Sequence, residues 1–495
     1  MIGPSARSRH HFAQEVDRVI PRKRAVPWRT TAAALLTASA LAVSTAPAAA
    51  EPAADDIADL LEAVPGLRVI QEAPTQEGWR FFVLGFRQPA DHDRPRSGSF
   101  EQRLTLLHRG VDRPTVLHTS GYGVSLTPFR SEPTALVDGN QLSVEQRFFD
   151  PSRPDPADWD DLDIEQAADD HHRLITALDD VYAQAWLSTG ASKGGMASVY
   201  HRRFHPGDVD GTIAYVAPND VRDREDSAYL DFFEEVGDDP QCRTDLEELQ
   251  REALGDRRDE LVAHYEELAA ANGWTFDATI GSADRTLEML VLDTPWAFWQ
   301  YGSPEDCAGV PAPDAATADI AAFLDEVAGF EFYTDQGTEP YLPYYYQAAT
   351  QLGTPSVPTD HLDGVLRHPG LFQARNYLTD ELLPVRYDHR AMPDIDRWVT
   401  HRAERVLFVN GEYDPWGAEP FRPGPGAERR DTHAFVAPGA NHGASIRLLA
   451  ADDRAAATAA VREWAGVADE AATLSDSGVP ALDRPGQGRG ERGAR

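Results

Sequence analysis

The feature that most constrains this chain is one serine placed where a strand-like run meets a helix-like one. QAWLSTGAS, residues 184–192, is apolar and strand-like, and KGGMASVYHRRF, residues 193–204, has helical character. Gly190-Ala191-Ser192-Lys193-Gly194 at the junction fits G-x-S-x-G, the pattern of a nucleophile elbow. Such a turn holds the serine in a strained backbone conformation, and a side chain at 190 or 194 would crowd it. The helix N-terminus beneath the serine favours developing negative charge. Rival motifs fail on residue order. A phosphate loop needs Gly-Lys-Ser/Thr and a penicillin-binding pattern needs Ser-x-x-Lys, whereas Lys193 directly follows Ser192. Apart from Lys23, Lys193 is the only lysine in the chain, a hint of chemical need.

A serine hydroxyl needs a base, and the base needs an orienting acid. In chains with this elbow the order is serine, acid, histidine, with the last two on loops after late strands. Asp414 follows the apolar run RVLFVNG, and His442 follows HAFVAPG. The expected triad is therefore Ser192, Asp414 and His442. The oxyanion hole is expected from the backbone N–H of Lys193 and of Gly121 or Tyr122 in TSGYG, residues 119–123,. The lysine's backbone N–H is the expected contributor, with its charge a secondary possibility.

Strand-like segments alternate with helix-like ones through the first part of the chain. GWRFFVLGFRQ, FEQRLTLLHRG and PTVLHTSGYG read as strands, TALVDGNQLSVEQRFF as two more strand pieces, residues 157–182 as a helix, and DGTIAYVAPND as a strand,. This predicts an α/β fold: a mostly parallel sheet with helices on both faces. From residue 222 to 397 the texture turns helical and acidic, with aromatic clusters at TPWAFWQYG and EPYLPYYYQAATQLG. That segment reads as a helical cap inserted before the last strands. Core segments at 51–221 and 398–467 flank it, and residues 468–495, rich in Gly, Pro and charge, read as a disordered tail.

Residues 1–50 combine basic residues, the run TTAAALLTASALAVS and APAAA before Glu51. They read as a secretory signal peptide, so the mature protein is expected outside the cell and free of the membrane. Its removal moves the net charge from −35 to about −40, which argues against nucleic-acid or anionic-membrane partners. The only cysteines, Cys242 and Cys307, are expected to pair in an oxidising compartment. No Cys/His cluster has metal-ligand spacing, no cofactor motif is present, and His171-His172 reads as solvated helix surface.

LSTGASKGGMASVYHRRFHPGDVDGTIAYVAPND, SVEQRFFDPSRP, the two aromatic clusters, NGEYDPW and PGANHG together resemble the secreted tripeptidyl aminopeptidases of actinobacteria. These are serine exopeptidases distantly similar to the prolyl carboxypeptidase and dipeptidyl peptidase group. The resemblance spans about residues 60–465 and implies an α/β-hydrolase core with a helical cap. It further implies release of short peptides from free N-termini, with Ser192, Asp414 and His442 as the triad. Gln146 and Gln351 depart from the prolyl carboxypeptidase group, where a histidine and a glutamate stand. An aminopeptidase must hold a free ammonium with carboxylates. Glu145 is the first candidate, its bland alternative being an ion pair with an arginine; Glu305, Asp306 and Glu339 follow. Trp296, Trp299 and Tyr344–Tyr346, Tyr345 among them, are candidate pocket residues or simply core. The alternative activity is an esterase, lipase or acyltransferase on the same scaffold.

Overall fold

The structure, a computed structural model, describes residues 56–467. The expected signal peptide and tail lie outside the described residues. A helix α1 (Ile57–Glu62) leads into β1 (Leu67–Ala73), β2 (Arg80–Pro89) and β3 (Ser99–His108). Then come β4 (Thr115–Thr119), α2 (Glu132–Val137), β5 (Asn140–Val144), α3 (Ile164–Leu178), β6 (Trp186–Ala191), α4 (Lys193–Phe204) and β7 (Gly211–Tyr215). Eight helices follow: α5 (Ser227–Glu235), α6 (Pro240–Leu254), α7 (Arg258–Asn272), α8 (Ala283–Tyr301), α9 (Thr317–Val327), α10 (Asp335–Thr338), α11 (Leu342–Gln347) and α12 (Ala391–His401). The chain then returns through β8 (Val406–Gly411), β9 (His433–Ala437) and α13 (Ala451–Trp464).

The strands form one nine-stranded sheet in the order β1-β2-β3-β5-β4-β6-β7-β8-β9. The first three are antiparallel to their neighbours, and from β5 onward every pairing is parallel. β5, β7 and β8 are buried along their whole length, as parallel strands covered on both faces must be. This is the α/β-hydrolase arrangement. In it the carboxyl ends of β4, β6, β7, β8 and β9 share one edge, where ligands bind in open α/β sheets.

The helices between β7 and β8 build their own apolar core around Leu249, Leu287, Leu290, Trp299, Ile320 and Leu324. Cys242 on α6 is bonded to Cys307 just beyond α8. α12 behaves differently. Met392, Ile395 and Val399 pack with Met196, Val199 and Tyr200 of α4, so the position-397 boundary read from texture falls inside a helix that covers the sheet.

Two local readings are corrected. TALV is not a strand but part of α2, because Ser131 caps it, Pro133 stands in its first turn, and Asp138 ends it in the left-handed region,. His171-His172 is solvated surface only at His172, whose side chain is about two-fifths exposed. His171 is buried at the α3–α4 interface, and burial, followed by neighbouring His201, pushes its pKa down to about 3. His172 lies 2.9 Å from Asp208 and stacks on His205. His172, His205 and Asp208 offer ligand atoms within 4.8 Å of one another, a grouping that sequence spacing concealed because His172 lies on α3 and the other two in the turn after α4. These groups are engaged with partners, His172 with Asp208 and His205 with Asp169.

One buried pair fixes the end of β5 to α3. Arg147 grips Asp170 through two hydrogen bonds of 2.8 and 2.9 Å, and both side chains are buried. Burial alone would raise the Asp170 pKa, yet Arg147 and His92 hold it below the usual carboxylate range. Removing one member leaves the other charge uncompensated. Arg147→Met is therefore expected to destabilise the fold by about 3 kcal/mol in urea unfolding; a loss under about 1 kcal/mol would show that the pair does not hold this junction.

Candidate active site

Ser192 stands between β6 and α4 with φ +54 and ψ −128, the strained conformation that the elbow requires. The reason only glycine serves at two flanking positions is measurable. A Cβ on Gly190 would sit 2.3 Å from the Gly194 carbonyl, and one on Gly194 would sit 2.2 Å from the Thr119 carbonyl oxygen. The β4 loop thus lies directly on the first turn of α4. Thr119 Oγ1 locks this approach by donating to the carbonyls of Thr189 and Gly194 at 3.0 and 2.7 Å.

Asp414 follows β8 and is fully buried; its Oδ1 accepts from the Trp416 N–H. His442 follows β9, with Nδ1 2.8 Å from Oδ2 of Asp414. A carboxylate can only accept, so Nδ1 carries the proton and Nε2 presents a lone pair. Nε2 is buried and makes no hydrogen bond within the protein. The ring's position is set from behind by the His442 N–H to Gln300 carbonyl bond of 3.0 Å. Trp416 lies 6.5 Å from the histidine ring and also lines the cavity that contains Ser192. Ser192, His442 and Asp414 therefore come from three strand ends on one edge of the sheet.

Lys193 is the first residue of α4, so its N–H has no intrahelical acceptor. Its side chain is buried, and Nζ donates to the Gly121 carbonyl at 2.8 Å, with the rings of Tyr122 and Phe149 each 5.6 Å away. The ammonium is thus a strut that ties the β4 loop to the elbow, a role that residue order could not reveal. Burial lowers its pKa to about 7.

The Ser192 cavity, about 390 Å³, is lined by Tyr122, Lys193, Met196, Pro218, Asp220, Tyr344, Leu352, Gly353, Pro355 and Trp416. A second cavity of about 450 Å³ shares Tyr344, Gly353, Pro355 and Trp416 with it and adds Asp293, Trp296, Tyr345 and Tyr377. Tyr344, Tyr345 and Trp296 are therefore cavity walls, with Tyr345 stacked on Tyr377 at 3.8 Å. Trp299 instead lines a separate cavity with Phe233 and Leu246, and Tyr346 packs on Trp159.

The acidic candidates are not brought into the Ser192 cavity. Glu145 is fully buried, with Arg103 at 2.5 Å, the Ser152 hydroxyl at 2.7 Å and the Val124 N–H at 3.3 Å. Burial raises its pKa against those partners. It braces the segment beyond the β4 loop, the ion-pair alternative, because Arg103, Ser152 and the Val124 N–H already engage its carboxylate. Asp306 is exposed and caps its own turn through Ser303. Glu305 and Glu339 are exposed as well. The acid that does line the cavity is Asp220, five residues beyond β7. Its only sequence signal was its place after a core strand, like that of Asp414.

Comparisons with known proteins agree on the family. Residues 50–485 match the family described as PS-10 peptidase S37. A prolyl tri/tetrapeptidyl aminopeptidase from Streptomyces mobaraensis is 55% identical over 427 residues, 86% of this chain and 88% of that protein. Among solved structures, a proline iminopeptidase from Mycobacterium smegmatis is similar at 15% identity and a TM-score of 0.33, covering 74% of this chain and 96% of that one. Epoxide hydrolase A from Mycobacterium thermoresistibile is similar at 19% identity and a TM-score of 0.30, covering 73% and 94%. Likenesses this slight carry no argument, and the fold rests on the strand order itself.

The lysine strut gives a test. Lys193→Met removes one hydrogen bond from the β4 loop and is expected to lower kcat about tenfold with KM within about twofold. Lys193 has a folded pKa of about 7, below its ordinary value, so the folded state sheds this proton before the unfolded state does. Stability should then rise as pH climbs from about 7 toward 10.4, and Lys193→Met should flatten that rise. An unchanged kcat with an unchanged pH profile would remove the strut.

Proposed function

The chain belongs to the PS-10 peptidase S37 family, and from that membership we propose that Ser192, Asp414 and His442 are the triad of a peptidase that releases short peptides from free N-termini. It is a serine peptidase of the exopeptidase type. The observation that carries the triad is the Asp414–His442 hydrogen bond of 2.8 Å, made at the same sheet edge as the strained serine.

In the proposed cycle Ser192 Oγ attacks the scissile carbonyl while His442 Nε2 takes its proton. The carbonyl oxygen becomes an oxyanion beside the Lys193 N–H and the Gly121–Tyr122 backbone, at the N-terminus of α4. Collapse breaks the C–N bond, and His442 returns the proton to the leaving amine. Water, deprotonated by the same nitrogen, then attacks the acyl-enzyme; the released peptide carries the new carboxylate and Ser192 regains its proton. Asp414 keeps the imidazole oriented and stabilises the imidazolium.

The named activity of the Streptomyces relative suggests cleavage after proline. Met196, Pro218, Leu352, Pro355 and Trp416 make the wall near Ser192 largely apolar, which suits a compact ring at that position. Export is part of the same reading. It is supported by the leader-like residues 1–50 and by the Cys242–Cys307 bond, since disulfides persist in oxidising compartments. Among the described residues no helix is long and apolar enough to cross a membrane.

The test is digestion of a peptide with a free N-terminus and proline at its third position, followed by mass spectrometry. The expected product is the N-terminal tripeptide ending in proline, absent with Ser192→Ala, while the N-acetylated peptide stays intact. Equal cleavage of the acetylated peptide, or cleavage of nitrophenyl esters alone, would overturn the reading.

A further inference from the structure

An exopeptidase that counts residues from a free N-terminus needs a group that binds the ammonium at a set distance from the serine. This inference rests on the exopeptidase reading of the same site. The geometry points to Asp220 as the residue that binds the substrate's N-terminal ammonium, in the cavity it shares with Ser192.

Asp220 is 3% exposed, lines the Ser192 cavity, and neither carboxyl oxygen has a hydrogen-bond partner. A buried carboxyl without partners is costly, and a site that receives a cation accounts for it. The neighbouring acids each accept at least one hydrogen bond, though Oδ1 of Asp226 is also buried without a partner, and none of them lines the Ser192 cavity. Asp223 accepts from the Thr354 N–H, Asp226 from the Ser356 hydroxyl, and Glu419 from the Val221 N–H, at 3.1, 2.5 and 3.2 Å. In the adjoining cavity Asp293 accepts from the Tyr333 hydroxyl. Room for the Asp220 carboxyl is built in, because a Cβ on Gly353 would sit 2.1 Å from its Oδ2.

The electrostatics agree. Burial, then Asp226, Asp223 and Glu419, push the Asp220 pKa up to about 8, and the Arg222 N–H, which opposes them, does not reach hydrogen-bond geometry. Tyr200, Tyr229 and Tyr387, whose hydroxyls stay protonated, also feel its charge. No arginine or lysine is paired with it, so an arriving ammonium is the counter-charge.

The test compares a free-amine tripeptidyl anilide with its N-acetyl and desamino forms in wild type and Asp220→Asn. The isosteric change removes no hydrogen bond, so the fold should hold, read as an unchanged urea-unfolding midpoint. KM for the free-amine substrate should rise about 30-fold or more, and the preference over the desamino form should collapse. If wild type already treats the forms alike, the exopeptidase reading falls; if wild type discriminates and Asp220→Asn still does, the Asp220 assignment alone falls. An effect confined to substrates with Lys or Arg side chains also overturns it. A second readout needs no variant. At pH 6.5 the amine and Asp220 both carry protons, so binding of the product tripeptide to wild type should release close to one proton, seen by calorimetry in buffers of different ionisation enthalpy. Its desamino analogue should release none, and equal release by the two would overturn the proposal.

Discussion

Everything at this site depends on how closely the β4 loop backs onto the first turn of α4. The Thr119 carbonyl, the Gly121 Cα and the Gly190–Gly194 turn occupy space that any side chain would need. Thr119 Oγ1 and Lys193 Nζ tie the two segments together across that gap. The approach fixes Ser192 at positive φ and places the backbone of residues 121–122 beside the N-terminus of α4. An oxyanion hole needs its donors in place before the reaction starts, and the backbone proposed for that role is held here by contacts that leave no slack.

The remaining parts are supports for that junction. Glu145 with Arg103 and Ser152 braces the segment following the loop, and Arg147 with Asp170 and His92 fastens the next residues to α3. The stretch SVEQRFF is therefore chiefly a clamp, and its acids and bases point inward. The Ser192 cavity is walled from elsewhere: Asp220 from beyond β7, Trp416 from beyond β8, and Tyr344, Gly353 and Pro355 from the segment between those strands.

The sequence was legible where local rules act. The elbow showed itself because its glycines, serine and flanking periodicities are contiguous, and Asp414 and His442 showed themselves as polar residues just past apolar strands. The α/β alternation was equally plain. What could not be read was burial. Glu145 and Asp220 each follow a core strand, and only packing decides that one meets an arginine while the other meets a cavity. His171 was misplaced for the same reason, since α3 packs against α4 through residues that are polar in composition. α2 was lost in a segment whose Ser131 cap and Pro133 were outweighed by strand-like neighbours.

We propose that this junction, with Asp414 and His442 behind it, makes Ser192 a nucleophile. The most direct measurement is the rate and position of covalent labelling by a fluorophosphonate, read by intact mass and peptide mapping. One adduct is expected, on Ser192, with a labelling rate that falls by about a thousandfold or more in His442→Ala. An adduct on any other residue, or labelling of His442→Ala at the wild-type rate, would contradict it.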